Sequence, residues 1–81
     1  MTQRKINTGT DQLLCLVEQG VAVITLNRPQ ARNAMSDQLS PALRRMVRFC
    51  SEDADVGAVL ITGAGNTFCA GGDVKGMGDN R

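Results

Sequence analysis

Two short apolar runs near the start of the chain, Leu13 to Glu18 and Val21 to Leu26, are separated by Gln19-Gly20. A two-residue polar link containing glycine between such runs predicts a β-hairpin. In the second run Val21, Val23 and Thr25 alternate with Ala22, Ile24 and Leu26. Both faces are mostly apolar, the pattern of a strand covered on both sides. Asn27-Arg28-Pro29 ends it, because proline cannot donate to a ladder. The period then changes. Leu39, Leu43, Met46, Val47 and Cys50 recur at three- and four-residue steps, with Arg44, Arg45 and Arg48 between them. That spacing predicts a helix with one core face and one basic, solvated face. Two starts compete for it: Ser36 capping a helix that opens with Asp37, or Ser40-Pro41 as cap and first position. A proline five residues into an established helix loses a hydrogen bond and clashes one turn back, so a distorted first turn reconciles the two. Ser51 to Val56 reads as a connection, with Asp53 and Asp55 in turn-forming positions. Gly57 to Thr62 is a continuous apolar run ending at Gly63 and reads as a buried strand. Strand, helix and strand in that order predict a parallel βαβ unit. The first ten residues are polar and patternless and read as a loose leader, with one domain from residue 11 to 81.

Composition narrows the chemistry. The 81 residues are 42% apolar and 21% charged, which fits a small soluble domain or part of a larger one rather than a disordered tail. No apolar run approaches the roughly 18 residues that cross a bilayer. A formal charge of +1 gives no footprint for nucleic acid or an anionic membrane. Histidine is absent, which removes Ser-His and Cys-His pairs, imidazole metal ligands and histidine bases. Tyr and Trp are absent too, and Phe49 and Phe68 are the only aromatics, so stacking platforms for bases are not expected. Cys15, Cys50 and Cys69 are odd in number and form no CxxC pair; they read as small apolar side chains in a reducing compartment. No apolar h-region follows the N-terminal basic residues. The chain reads as cytoplasmic.

Six of the nine glycines fall between Gly63 and Gly78, directly after the second predicted parallel strand. Loops at the carboxyl ends of parallel strands are where α/β folds place ligands. Glycine there lets a ligand approach the main chain and lets a free N–H meet an oxygen that becomes negative during a reaction. Nucleotide motifs fail. Gly63-x-Gly65 lacks its third glycine because Phe68 stands there, Cys69-Ala70-Gly71-Gly72 opens a helix poorly, and no Gly-Lys-Ser/Thr follows.

Four pieces in this order carry a resemblance: Val21-Ala-Val-Ile-Thr-Leu-Asn-Arg-Pro29, Asn33-Ala34-Met35, Val59-Leu60-Ile61-Thr62-Gly63, and Phe68-Cys-Ala-Gly-Gly-Asp73. Order and spacing together resemble the N-terminal part of the enoyl-CoA hydratase/isomerase (crotonase) family, over residues from about 12 to 78. The resemblance implies an α/β fold of repeated ββα turns with two nearly perpendicular sheets, and trimers or dimers of trimers. It implies no cofactor beyond coenzyme A as part of an acyl-CoA thioester substrate. It also implies an oxyanion hole of two backbone N–H groups, of which Gly72 supplies the first. Gln30, Ala31, Arg32, Ala34, Ala70, Gly72, Asp73 and Val74 match positions lining the CoA and acyl-thioester groove. One preorganised donor on a thioester enolate is worth roughly 3 kcal/mol of barrier, and a backbone donor needs no particular side chain. For Asp73, capping a short helix from Val74 stands beside acid/base catalysis, which needs a raised pKa. Arg28 and Arg32 can approach CoA phosphates, and Arg28 serves equally as a structural ion-pair partner. Cys69 has no histidine to activate its thiolate.

Glu18 and Glu52 match no catalytic position of that family, and its second donor and catalytic carboxylates lie further along than Arg81. The 81 residues are therefore expected to be a fragment of an enzyme that hydrates 2-enoyl-CoA or shifts its double bond. On their own they are expected to be inactive. Other reactions of the superfamily, such as dehalogenation or thioester hydrolysis, share these N-terminal features. A non-catalytic truncated module or oligomerisation segment is the alternative from another class.

Overall fold

The computed structural model describes residues 3–69. Its first strand is β1 (Gln3–Ile6), followed by β2 (Leu13–Glu18) and β3 (Val21–Leu26). After a single 3-10 turn at Pro29–Ala31 come the helix α1 (Leu39–Glu52) and the strand β4 (Ala58–Gly63). The four strands form one sheet in the order β1-β2-β3-β4. The first three are antiparallel neighbours, and β4 joins β3 in parallel through α1. That is the hairpin and the βαβ crossover the hydrophobic pattern predicts. No second sheet occurs among the described residues.

The hairpin turn works because both linking residues take positive φ, Gln19 at 52° and Gly20 at 82°. A two-residue turn of that hand matches the twist of the strands it joins. The loose-leader reading is corrected for residues 3–6, which pair with β2 from Gln3 opposite Glu18 to Ile6 opposite Cys15. Their polarity is that of an edge strand, where charge discourages pairing with other chains. Beyond β1, Thr8 is buried and donates its hydroxyl to the Leu13 carbonyl at 2.6 Å, while the Arg45 guanidinium donates to the Thr8 carbonyl at 3.0 Å. One of the three helix arginines therefore ties α1 to the β1–β2 link; Arg44 and Arg48 are exposed as expected.

The first turn of α1 combines both candidate starts. The Ser36 hydroxyl accepts from the Leu39 N–H at 3.0 Å, and the Ser36 carbonyl accepts from the Ser40 N–H at 3.1 Å. Pro41 has no N–H to offer the Asp37 carbonyl, so regular helix begins only at Leu39. Buried positions are Leu39, Ala42, Met46 and Cys50. The core face is thus rotated from the one predicted, with Ala42 inward and Val47 half exposed at 48%. A small residue at position 42 lets the helix sit close to the sheet.

The core lies between α1 and one face of β2 and β3: Leu13, Cys15, Val17, Ala22, Ile24 and Leu26 against the four helix positions. The opposite face of β3 is only half buried, so the expectation of cover on both sides holds for one face. The expectation of a buried strand over Gly57 to Thr62 is corrected. Val59, Leu60 and Ile61 are 44%, 54% and 37% exposed, because α1 packs over β2 and β3 and β4 is the edge beyond them. Burial pushes the Cys15 and Cys50 thiols up, and Cys50 adds to the rise at Cys15 through its neighbouring sulfur. Both are free and packed as apolar side chains.

Two outcomes follow for stability. Ile24 is fully buried in the middle of the sheet, so Ile24→Ala should lower unfolding free energy by about 2–5 kcal/mol, read as a shift in denaturant midpoint. Asp53, which ends α1, accepts from the Asp55 N–H at 2.8 Å and from the Arg4 guanidinium at 3.0 Å. These bonds hold its carboxyl below the ordinary value of 3.8. A carboxyl lowered in the folded state stabilises it above the unfolded pKa and loses that contribution as pH falls through the folded value. Asp53→Asn should therefore flatten the decline of melting temperature on the acid side of pH 4; a decline as steep as in the parent chain would refute this.

Candidate active-site junction

Because β3 and β4 are parallel, with Leu26 opposite Gly63, the loops that follow them leave the sheet at the same end. The carboxyl ends of parallel strands form the crevice where α/β sheets bind ligands. The Ala64 N–H donates to the Leu26 carbonyl at 2.8 Å, extending the contact one residue past the ladder. The chain after β3 then turns on itself. Pro29 opens the 3-10 turn with its fixed φ, and the turn closes on Arg32 and Asn33, both left-handed at φ 54° and 58°. The Asn33 N–H returns to the Arg28 carbonyl at 2.8 Å, and the Arg28 guanidinium donates to the Ala34 carbonyl.

Asn33 is fully buried and its carboxamide is fully used. Oδ1 accepts from the Arg28 N–H at 2.7 Å; Nδ2 donates to the Ala64 carbonyl at 2.9 Å and the Thr67 carbonyl at 2.6 Å. The partners fix which end is which, since a flipped amide would set its oxygen against two carbonyls. An apolar residue here would leave one N–H and two carbonyls without partners, at about 1–3 kcal/mol for each that water cannot reach. Gly63 completes the junction by close approach. A Cβ on it would collide with the Phe68 carbonyl oxygen and lie 2.7 Å from that of Thr67 and 2.8 Å from Asn33 Nδ2.

Of the residues predicted to line a CoA groove, Gln30, Ala31, Arg32 and Ala34 sit together on this loop. Gln30 and Arg32 are exposed, Ala31 and Ala34 half buried. Ala70, Gly72, Asp73 and Val74 lie outside the described residues, as does the direction of the Gly72 N–H. The loop leading toward them, 64–69, is the one bonded to Asn33. Among the described residues the Arg28 guanidinium donates to the Ala34 carbonyl, and the ion pairs found there are those of Arg4 with Asp53 and Asp55. In the sequence Asn33 stands out only as part of the motif Asn33-Ala34-Met35. Its signal was there in kind: an asparagine, tolerant of left-handed backbone, in an otherwise apolar Ala34-Met35 context. The partners of its side chain, 31 and 34 residues away, were not.

A groove on the described surface lies elsewhere, along α1, between Pro41, Leu43, Arg44, Val47, Arg48 and Ser51. It is a helix face with long side chains, without the convergent polar groups of a ligand site. No group of three or more His, Cys, Asp or Glu that could hold a metal occurs among the described residues, and no helix there is long and apolar enough to cross a membrane.

Comparison with known proteins gives this junction its context. Residues 17–81 match the model of the family described as enoyl-CoA hydratase/isomerase. The chain is 46% identical over 68 residues to the probable enoyl-CoA hydratase EchA14 of Mycobacterium tuberculosis, covering 84% of this chain and 27% of that protein. It is 39% identical over 63 residues to the 1,2-epoxyphenylacetyl-CoA isomerase of Escherichia coli, covering 78% of this chain and 24% of the relative. The crystal structure of an enoyl-CoA hydratase from Mycobacterium avium superimposes with a TM-score of 0.78 at 46% identity, over 80% of this chain and 29% of that one. The chain thus spans about a quarter of the length of the relatives it matches. Its α/β arrangement of hairpin, helix and parallel strand is part of the fold of the enoyl-CoA hydratases, and the chain belongs to the enoyl-CoA hydratase/isomerase family.

Proposed function

We propose that these residues form the acyl-CoA groove and first oxyanion donor of an enzyme that hydrates 2-enoyl-CoA thioesters or shifts their double bond. The observation that carries the reading is the junction itself. Two loops at the carboxyl ends of neighbouring parallel strands are locked together by one buried carboxamide, and one of them runs into Cys69-Ala70-Gly71-Gly72-Asp73. Relatives named as enoyl-CoA hydratases and as an acyl-CoA isomerase support the substrate class. In this reading Gln30, Ala31, Arg32 and Ala34 bind the CoA side of the substrate, and Ala70, Asp73 and Val74 line the thioester end. The Gly72 N–H donates to the thioester oxygen.

The chemistry follows from where charge develops. Adding a nucleophile to the β-carbon of an enoyl thioester, or removing a proton next to its carbonyl, moves an electron pair onto the carbonyl oxygen. A donor already aimed at that oxygen needs no reorganisation as the charge grows and is worth more away from water than in it. In this reading the acid and base that move protons are neither Glu18 nor Glu52, which end a strand and a helix, and histidine is absent. Coenzyme A enters only as part of the substrate. Assembly as a trimer or dimer of trimers belongs to the same proposal.

Gly72→Pro deletes the donor. In an active protein carrying these 81 residues it should lower kcat for crotonyl-CoA hydration by about 10²–10³-fold, with a much smaller change in KM. Unchanged kcat would remove Gly72 from the site.

A further inference from the structure

We infer that Asn33 is a positioning residue: its carboxamide sets the spacing of the two loops at the site, the second of which, 64–69, leads in sequence toward Gly72. The structural half of this inference stands on geometry alone. Its functional half rests on the acyl-CoA reading above.

Asn33 is buried and saturated with protein partners, so it is not a group that meets substrate. Its bonds instead run in two directions. Toward its own loop, the Arg28 N–H to Oδ1 bond and the Asn33 N–H to Arg28 carbonyl bond close a ring around residues 29–32, fixing Gln30, Ala31 and Arg32. Toward the other loop, Nδ2 holds the Ala64 and Thr67 carbonyls, two points three residues apart. The Thr67 carbonyl is five residues from Gly72 in sequence. Gly63 leaves that loop no slack on the sheet side, since any Cβ there would collide with the Thr67 and Phe68 carbonyls and with Nδ2 itself. Only a side chain with one acceptor and two donors on a short stem, on left-handed backbone, meets all these conditions. Asparagine does so; aspartate offers no donor when ionised, and glycine keeps the backbone but loses the bridge.

Two variants separate this role from general stability. Asn33→Gly retains the left-handed backbone and deletes the carboxamide. Asn33→Asp retains the shape but faces two carbonyls with a carboxylate, which regains one donor when protonated. Amide hydrogen exchange of the 81-residue chain needs no ligand. In both variants at pH 7, protection should fall about tenfold or more in residues 28–34 and 64–69 together. The amides of β2 and β3 should keep theirs. In Asn33→Asp alone, protection in 64–69 should partly return as pH drops toward 4. Loosening of one loop without the other, or equal loss throughout the sheet, would overturn the inference.

The functional half is read by a double-mutant cycle in the active protein with crotonyl-CoA. Asn33→Gly should lower kcat about tenfold or more in the parent background, yet have little further effect when Gly72→Pro is already present. Full additivity would show that Asn33 does not act through that donor. Should Gly72→Pro alone leave turnover unchanged, the oxyanion reading falls and takes this functional half with it. Hydrogen exchange still decides the coupling of the loops.

Discussion

The arrangement of the site depends on one buried carboxamide that replaces water for three main-chain groups on two loops. Backbone polar groups withdrawn from solvent must find partners; the turn after β3 supplies several of its own, but the Arg28 N–H and the Ala64 and Thr67 carbonyls take theirs from a side chain. Asn33 serves both loops at once. It can do so only because β3 and β4 are parallel. Were they antiparallel, the loops after them would leave opposite ends of the sheet and no side chain of that length could span them. The crossover through α1 is therefore the geometric condition for the junction, and the hydrophobic pattern of α1 is what makes the crossover pack.

Packing and site formation are unevenly shared across the sheet. The helix buries one face of β2 and β3, and the core residues are drawn from those strands and α1 alone. By contrast, β4 contributes ladder hydrogen bonds and a loop but no core residue. Its Val59, Leu60 and Ile61 present apolar surface on both faces, and its outer edge has unpaired main-chain groups among the described residues. Among the described residues β4 is thus held less by hydrophobic burial than β2 and β3. The polar contacts at its carboxyl end, from Asn33 and from Ala64 to Leu26, correspondingly matter more to where that loop sits.

Much of this was legible in the sequence, for identifiable reasons. The bounds of β2 and β3 follow from apolar runs interrupted by Gln19-Gly20, because a two-residue turn fixes register locally. The parallel placement of β4 follows from strand, helix, strand order. Other features were hidden. Nothing in the polar stretch Gln3–Ile6 marks a strand, since an edge strand takes its hydrogen bonds from a neighbour and needs little burial of its own. The run at 58–62 records that the strand is apolar, not which element covers it. For α1 the period was right, but Ala42 displaced Val47 from the core face because closeness to the sheet rewards a small side chain. Asn33 escaped because its meaning lies in partners more than thirty residues away, and no local pattern encodes them.

Apart from the Asn33 carboxamide, the groups that join the two loops are peptide groups. Main-chain donors and acceptors carry no side-chain identity, so such a site must be specified by conformation, and conformation by the residues that restrict it. Here the restricting set is small: Pro29 fixes the entrance to one loop, Gly63 removes the Cβ that would push the other away, and Asn33 joins the two. Each acts by shape or by hydrogen-bond complement rather than by reactivity. A side chain chosen for its chemistry can move slightly and still react, whereas a peptide N–H is aimed only as well as the loop is held. Precision at this end of the sheet is therefore a property of the junction beneath the loops, and the buried amide of Asn33 is its least replaceable part.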